Sequence, residues 1–197
     1  QVRAIDQFLI EQQGIPGYEL MERAAKAAYQ SLRRLWPKCR NLVIFCGAGN
    51  NGGDGWVLAR LAWADDWQVQ VYSLSDPESL SGDALTAARV YLSHRGQWEI
   101  FKPDLKLEAL AQTDVIVDAL LGTGLKGPPR GDFVQAIQLI NAAAKPVFAI
   151  DIPSGLNGET GVTYEPTVKA SHTISFIAHK QGLFTGCLLY TSDAADE

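Results

Sequence analysis

The chain is poor in the features that mark transition-metal, membrane and nucleic-acid proteins. Its three cysteines, Cys39, Cys46 and Cys187, show neither metal-ligand spacing nor a disulfide framework. An odd cysteine count in a chain long enough for a sizeable core fits a reducing compartment, so a cytoplasmic location is expected. Cys46 ends an apolar run and reads as a small buried hydrophobe. His94, His172 and His179 also lack ligand spacing; His94 reads as a partner for a helix C-terminus. No run approaches the ~18 apolar residues of a membrane span. No signal peptide is visible, although the chain begins at Gln1 and leaves room for a leader. Lys and Arg number 17 against 22 Asp and Glu, a net charge of −5, which argues against a nucleic-acid or anionic-membrane partner. A Walker lysine is missing, which disfavours ATP hydrolysis. Ser154 stands in Pro-Ser-Gly, outside the Gly-x-Ser-x-Gly frame of a nucleophile elbow.

What is present is an ordinary globular composition: 197 residues, 47% hydrophobic and 20% charged, enough for one α/β domain. Residues 1–35 read as helical, with a break at 14–17 and an apolar face of Leu20, Met21, Ala24, Ala25, Ala28 and Leu32. Strands are predicted at 42–46, 68–74, 98–101, 115–121 and 146–150, and an apolar β-rich run at 170–178. Helices are predicted at 53–63, 82–94 with Ser81 as N-cap, 105–111 and 133–143. Repeated β-α alternation with nearly continuous apolar strands predicts a Rossmann-like three-layer α-β-α fold, a mostly parallel sheet with helices on both faces.

The most informative segment is Cys46-Gly47-Ala48-Gly49-Asn50-Asn51-Gly52-Gly53-Asp54-Gly55, at a strand-to-helix turn. Five glycines in nine positions suggest a bare backbone that a phosphate or nucleotide can approach, at the positive end of the next helix. The asparagines and the aspartate add hydrogen-bonding groups. The bland alternative is a tight turn with Asp54 as helix cap. Asp118 closes a strand and reads as a cation ligand, a partner for ribose hydroxyls or a simple cap. Gly122-Thr123-Gly124-Leu125-Lys126-Gly127 is a second glycine-rich loop, stiffened by Pro128 and Pro129. Lys126 there reads equally well as a ligand contact or a solvated lysine. Asp151, at a strand end before Ile152-Pro153-Ser154-Gly155, reads as a partly desolvated carboxylate suited to acid–base work, or as a turn former. Ligands of open α/β sheets bind at the carboxyl ends of the strands, so these loops are expected on one rim. Gly47, Gly49 and Gly52 match a dinucleotide fingerprint, but Asp65 and Asp66 lie at a helix end rather than at the end of the second strand, so a plain NAD-dependent dehydrogenase is a poor reading.

The loop 47–55, the stretch 117–124 and the stretch 149–156 together resemble the NAD(P)H-hydrate epimerase family, the YjeF N-terminal domain family. Arg3-Ala4-Ile5-Asp6, Leu20-Met21-Glu22-Arg23-Ala24 and His179-Lys180-Gln181-Gly182-Leu183 also fit, so the likeness runs from about residue 2 to about residue 186. The resemblance implies epimerisation of the R and S forms of hydrated NADH and NADPH, a repair of damaged cofactor, with a small-molecule substrate. It implies substrate binding by Asn50, Asn51, Gly52, Gly53, Asp54, by Gly122, Thr123, Gly124, Leu125, Lys126, Gly127 and Pro128, and by Asp151, which would also be the catalytic residue. It implies one potassium ion per subunit at Asn51, Asp118 and Ser154, a choice that oxygen ligands suit. It further implies a homodimer and a functional partner, an ADP- or ATP-dependent dehydratase, in some members fused C-terminally. Domain boundaries at 1–186 for the epimerase domain and 187–197 for an atypical, truncated or non-native tail are expected, because the tail lacks the further strand of the family. The competing class is a non-catalytic module of the same fold that binds protein or RNA. Retention of both asparagines, Asp54, Asp118 and Asp151 favours the enzyme.

Overall fold

The apolar runs become strands and the amphipathic stretches become helices in a computed structural model that describes residues 16–176 and the strand 192–194. The first helix, α1 (Gly17–Leu35), follows Pro16. It carries Glu19 in its first turn and Arg33 and Arg34 in its last, which suits the helix dipole. Its buried residues Met21, Ala25, Ala28 and Leu32 recur every three or four positions, so one face packs into the buried core. There follow β1 (Asn41–Cys46), α2 (Asn50–Ala64), β2 (Gln68–Ser73), α3 (Gly82–Ser93) and β3 (Gln97–Ile100). Then come β4 (Val115–Ala119), α4 (Asp132–Ala142), β5 (Val147–Ile150), β6 (His172–Ser175) and β7 (Ser192–Ala194).

The strands form one sheet in the order β3-β2-β1-β4-β5-β6-β7, and every pair is parallel. Side chains alternate between its faces. Leu42, Ile44 and Cys46 of β1 join the core under α1, α2 and α3, with Trp56 and Tyr91. Val43 and Phe45 join the opposite core under α4, with Ile137, Ile140 and Leu120. The strand order reverses between β1 and β4. This is the switch point at which parallel sheets open a crevice beyond their strand ends.

The structure corrects several boundaries. Helix α2 begins at Asn50, three residues before the predicted start, so the asparagines belong to its first turn. Gly49 is the N-cap, and Asp54 lies within the helix rather than capping it. The helix predicted over 105–111 is a single 3-10 turn, Leu107–Leu110. Strand β4 ends at Ala119, two residues early, where Asp118 turns the chain by accepting Leu120 N at 3.2 Å. A three-residue strand, β7, lies in the tail where the sequence pattern offered none. The helical reading of residues 1–15, the motif 179–183 and Cys187 lie outside the described residues.

Candidate active site

The glycine motif serves the protein before any ligand. A methyl group on Gly52 would lie 1.9 Å from the Gly47 carbonyl oxygen, and one on Gly47 would lie 2.0 Å from the Leu120 carbonyl oxygen. Methyl groups on Gly53 and Gly55 would meet Met21 Cε at 2.5 Å and Ala119 Cβ at 2.6 Å. These close approaches, with Gly47 N donating to Ala119 O at 3.0 Å, clamp the start of α2 onto β1 and β4. Gly49 alone of the five faces open space. Packing thus accounts for four of the five glycines independently of any ligand. The clamp aims the first turn of α2, whose leading N–H groups have no acceptor within the helix, at the rim.

Asn51 sits in that turn, buried at 8% exposure, and neither its amide oxygen nor its amide nitrogen has a hydrogen-bond partner. Its side chain lies against Gly122. A methyl on Gly122 would fall 3.3 Å from Asn51 Cβ and 2.8 Å from Asp151 Oδ2, so the bare edge of Gly122 separates an amide and a carboxylate. Asp151 is half-buried and has φ +68, a left-handed conformation uncommon outside glycine. It is held there by its own N–H, which donates to Ile174 O at 2.8 Å, and by Thr123 N, which donates to its Oδ2 at 3.0 Å.

Behind this pair lies a second, fully buried one. Ser154 Oγ donates to Asp118 Oδ1 at 2.6 Å and accepts from Leu121 N at 2.9 Å. Ser154 N donates to Asp118 Oδ2 at 2.8 Å. Burial pushes the Asp118 carboxyl from its ordinary 3.8 up to about 6, against the opposing pull of the Ser154 and Leu120 hydrogen bonds. Asp151 is half-buried, as its place at a strand end suggested; the deeply buried carboxyl is Asp118.

The structure thus brings together Asn51, Gly122, Thr123, Asp151, Asp118 and Ser154. Gly52 and Gly53 are buried in the clamp and Asp54 is half-buried one turn into the helix. Asn50, Gly124, Lys126 and Pro128 are exposed at the outer rim, while Leu125 and Gly127 are half-buried. The turn is closed by Leu125 N donating to Gly122 O at 3.2 Å. Sequence reasoning missed Leu120 and Leu121, whose backbone groups bind Asp118 and Ser154, because main-chain donors leave no signature in side-chain identity. Among the described residues no group of three His, Cys, Asp or Glu side chains gathers to hold a metal, and no helix is long and apolar enough to cross a membrane.

A Rossmann-like parallel sheet with a carboxylate–amide pair at its switch point defines a class of doubly wound α/β proteins. Within that class, the chain belongs to the family described as YjeF-related protein N-terminus, whose pattern matches residues 17–182. It is 37% identical over 182 residues to the NAD(P)H-hydrate epimerase of Rhodopirellula baltica, covering 92% of this chain and 74% of that protein. It is 44% identical over 173 residues to the bifunctional NAD(P)H-hydrate repair enzyme Nnr of Escherichia coli, covering 88% of this chain and 33% of that protein. The bifunctional Nnr of Coxiella burnetii is 41% identical, covering 94% of this chain and 37% of that protein, so the chain spans about a third of the length of these bifunctional relatives. The crystal structure of yeast ynu0 (YNL200c) superposes with a TM-score of 0.85 at 23% identity, covering 98% of this chain and 84% of that one, and shares the fold.

Proposed function

We propose that this chain interconverts the R and S forms of hydrated NADH and NADPH. The observation that carries the reading is Asn51, a buried amide with no protein partner, set beside the Asp151 carboxylate at the switch point. A buried amide left unpaired costs about 1–3 kcal/mol, a cost that a site built to grip a polar ligand recovers on binding. The name of the Rhodopirellula relative, NAD(P)H-hydrate epimerase, supports the choice of substrate. No observation favours the non-catalytic module.

In this reading the first turn of α2 and the loop from Gly122 to Pro128 hold the dinucleotide from two sides. The hydrated ring carbon bears both a hydroxyl group and the ring nitrogen. Asp151 takes the hydroxyl proton as the bond from that carbon to nitrogen opens, and the proton passes to the nitrogen. Reversal of the step after the new carbonyl has turned over gives the other epimer, with no net redox change. Thr123 N holds the carboxylate while this happens.

The residues also fit a potassium ion. Asp118 and Ser154 offer a carboxylate and a hydroxyl, the Asp118 oxygens retain a lone-pair position beyond the three donors they accept, and the Asn51 amide oxygen lacks a donor. These hard oxygens suit an alkali cation and no soft ligand stands among them. When bound, such an ion supplies a fixed positive charge that favours the ionised form of Asp118. The functional partner in this reading is a dehydratase consuming the S form. The word bifunctional in the names of the longer relatives, of which this chain spans about a third, supports a second activity elsewhere in such proteins. A homodimer and a reducing cytoplasmic setting complete the reading; the buried free thiols of Cys39 and Cys46 are compatible with that setting.

The test is clearance of R-NADHX in potassium buffer, with a separate S-specific dehydratase as reporter. The expected result is faster loss of the R form than without the protein, and a lower rate in sodium. A folded sample that gives no acceleration overturns the reading.

A further inference from the structure

The chain beyond Asp151 builds a small, tightly closed hairpin that none of the motifs accounts for. Leu156 and Thr163 form an antiparallel bridge, and Asn157 N donates to Val162 O at 2.9 Å. Asn157 Oδ1 accepts from Glu159 N at 2.9 Å and from Thr160 N at 3.0 Å, and Gly161 N donates to Asn157 O at 2.9 Å. Ile152 and Leu156 pack together as a buried apolar pair at its base. Gly158 is buried within this turn, and a methyl placed on it would lie 3.1 Å from Thr123 Cγ2 and 3.6 Å from Ile152 Cδ1. The Thr123 methyl is therefore seated on the bare face of Gly158, while the N–H of the same residue holds Asp151 Oδ2.

We propose that the hairpin 156–163 positions the Asp151 carboxylate, acting through the contact of Gly158 with Thr123. Two routes reach Asp151. Its backbone is fixed from the sheet by the bond to Ile174, and its carboxylate is fixed from the second glycine loop by Thr123. That loop is partly exposed and makes a single turn bond of its own; Leu121 N holds its start to Ser154 Oγ, and the hairpin beneath supports Thr123 from the other side. Gly158 is a positioning residue here, and its backbone is not in the left-handed region, so alanine is a steric probe rather than a conformational one. The kinetic part of the proposal rests on the epimerase reading; the positioning part does not.

The experiment follows Gly158→Ala, Thr123→Ser and the double variant. Thr123→Ser removes the methyl that the substitution at Gly158 would crowd but keeps the N–H. Two readouts are taken: kcat and KM for R-NADHX epimerisation, and the Thr123 amide proton shift, which reports the bond to Asp151 without any substrate. Gly158→Ala is expected to lower kcat roughly tenfold with KM within about twofold, as small misplacements of a reacting group do. It should also move the Thr123 amide upfield. The double variant should return both readouts to the values of Thr123→Ser alone. Asn157→Ala, which frees the turn without adding bulk, should loosen the same bond and serves if Gly158→Ala does not fold. An unmoved Thr123 amide in both Gly158→Ala and Asn157→Ala overturns the proposal, as does a loss that Thr123→Ser does not relieve. A wild type without epimerase activity that still shows the amide response retains the positioning and refutes the function.

Discussion

Ser154 Oγ lies 2.6 Å from Asp118 Oδ1, and both residues are completely buried. This pair ties the loop after β5 to the end of β4, and it makes stability depend on pH. The folded-state pKa of Asp118 is raised from 3.8 to about 6 by burial. Between those values the folded chain holds a proton that the unfolded chain has released. Stability from this group is thus fully present below about pH 4 and is lost as pH rises through 6, on the order of 3 kcal/mol in all. Urea unfolding of the wild type and of Asp118→Asn, from pH 4 to pH 7 without potassium, isolates the effect. The wild-type advantage should shrink by that amount across the window, and a pH-independent difference would contradict the assignment.

Asn51 should trade stability for function. Asn51→Leu replaces an unpartnered buried amide with an apolar group of similar size. It is expected to raise unfolding stability by about 1–3 kcal/mol. The same variant should lose measurable affinity for the hydrated dinucleotide. Thermal unfolding and calorimetric titration together check it, and a variant that is less stable and still binds would refute the ligand-gripping role.

Asp151→Asn keeps an oxygen able to accept the Thr123 N–H, so the fold and the loop geometry should persist. With the proposed proton carrier gone, kcat should fall roughly 10²-fold or more. Substrate binding should change little. Full epimerase rate in this variant would remove Asp151 from the chemistry.

The glycines of the first loop should separate by what surrounds them. Gly52→Ala drives a methyl to 1.9 Å from a backbone oxygen, which cannot swing away. It should cost about 3 kcal/mol or more, at the upper end of overpacking penalties. Gly49→Ser enters open space with extended backbone geometry and adds a capping hydroxyl to α2. It should be neutral or stabilising by up to about 1 kcal/mol. Chemical denaturation of the two variants gives the comparison; similar losses in both would mean that the clamp is not packed as described.

The alternation of apolar runs with amphipathic stretches made the parallel sheet legible, because a strand buried on both faces has little choice but to be continuously apolar. The clustering of Asn51, Gly122 and Asp151 followed from the rule that such sheets bind ligands at their carboxyl edge. The start of α2 was hidden because glycine and asparagine usually break helices. Here the helix carries glycine at 52 and 53 because the space a side chain would need is already filled by Gly47 and Met21. The depth of Asp118 was hidden as well: its bonding partner Ser154 is 36 residues away, and nothing local announces it. The seat of Thr123 on Gly158 joins two loops that are likewise distant in sequence.

The packed glycines separate two kinds of information that share one stretch of chain. Any polypeptide that joins β1 to α2 at this closeness must keep Gly47, Gly52 and Gly55, whether or not it turns over a substrate. A match to those three letters therefore certifies architecture. In the proposed reading, competence is written in the letters between and beyond them, the amide of Asn51 and the carboxylates of Asp118 and Asp151. A descendant that had lost its chemistry would betray itself there first, with its glycines intact.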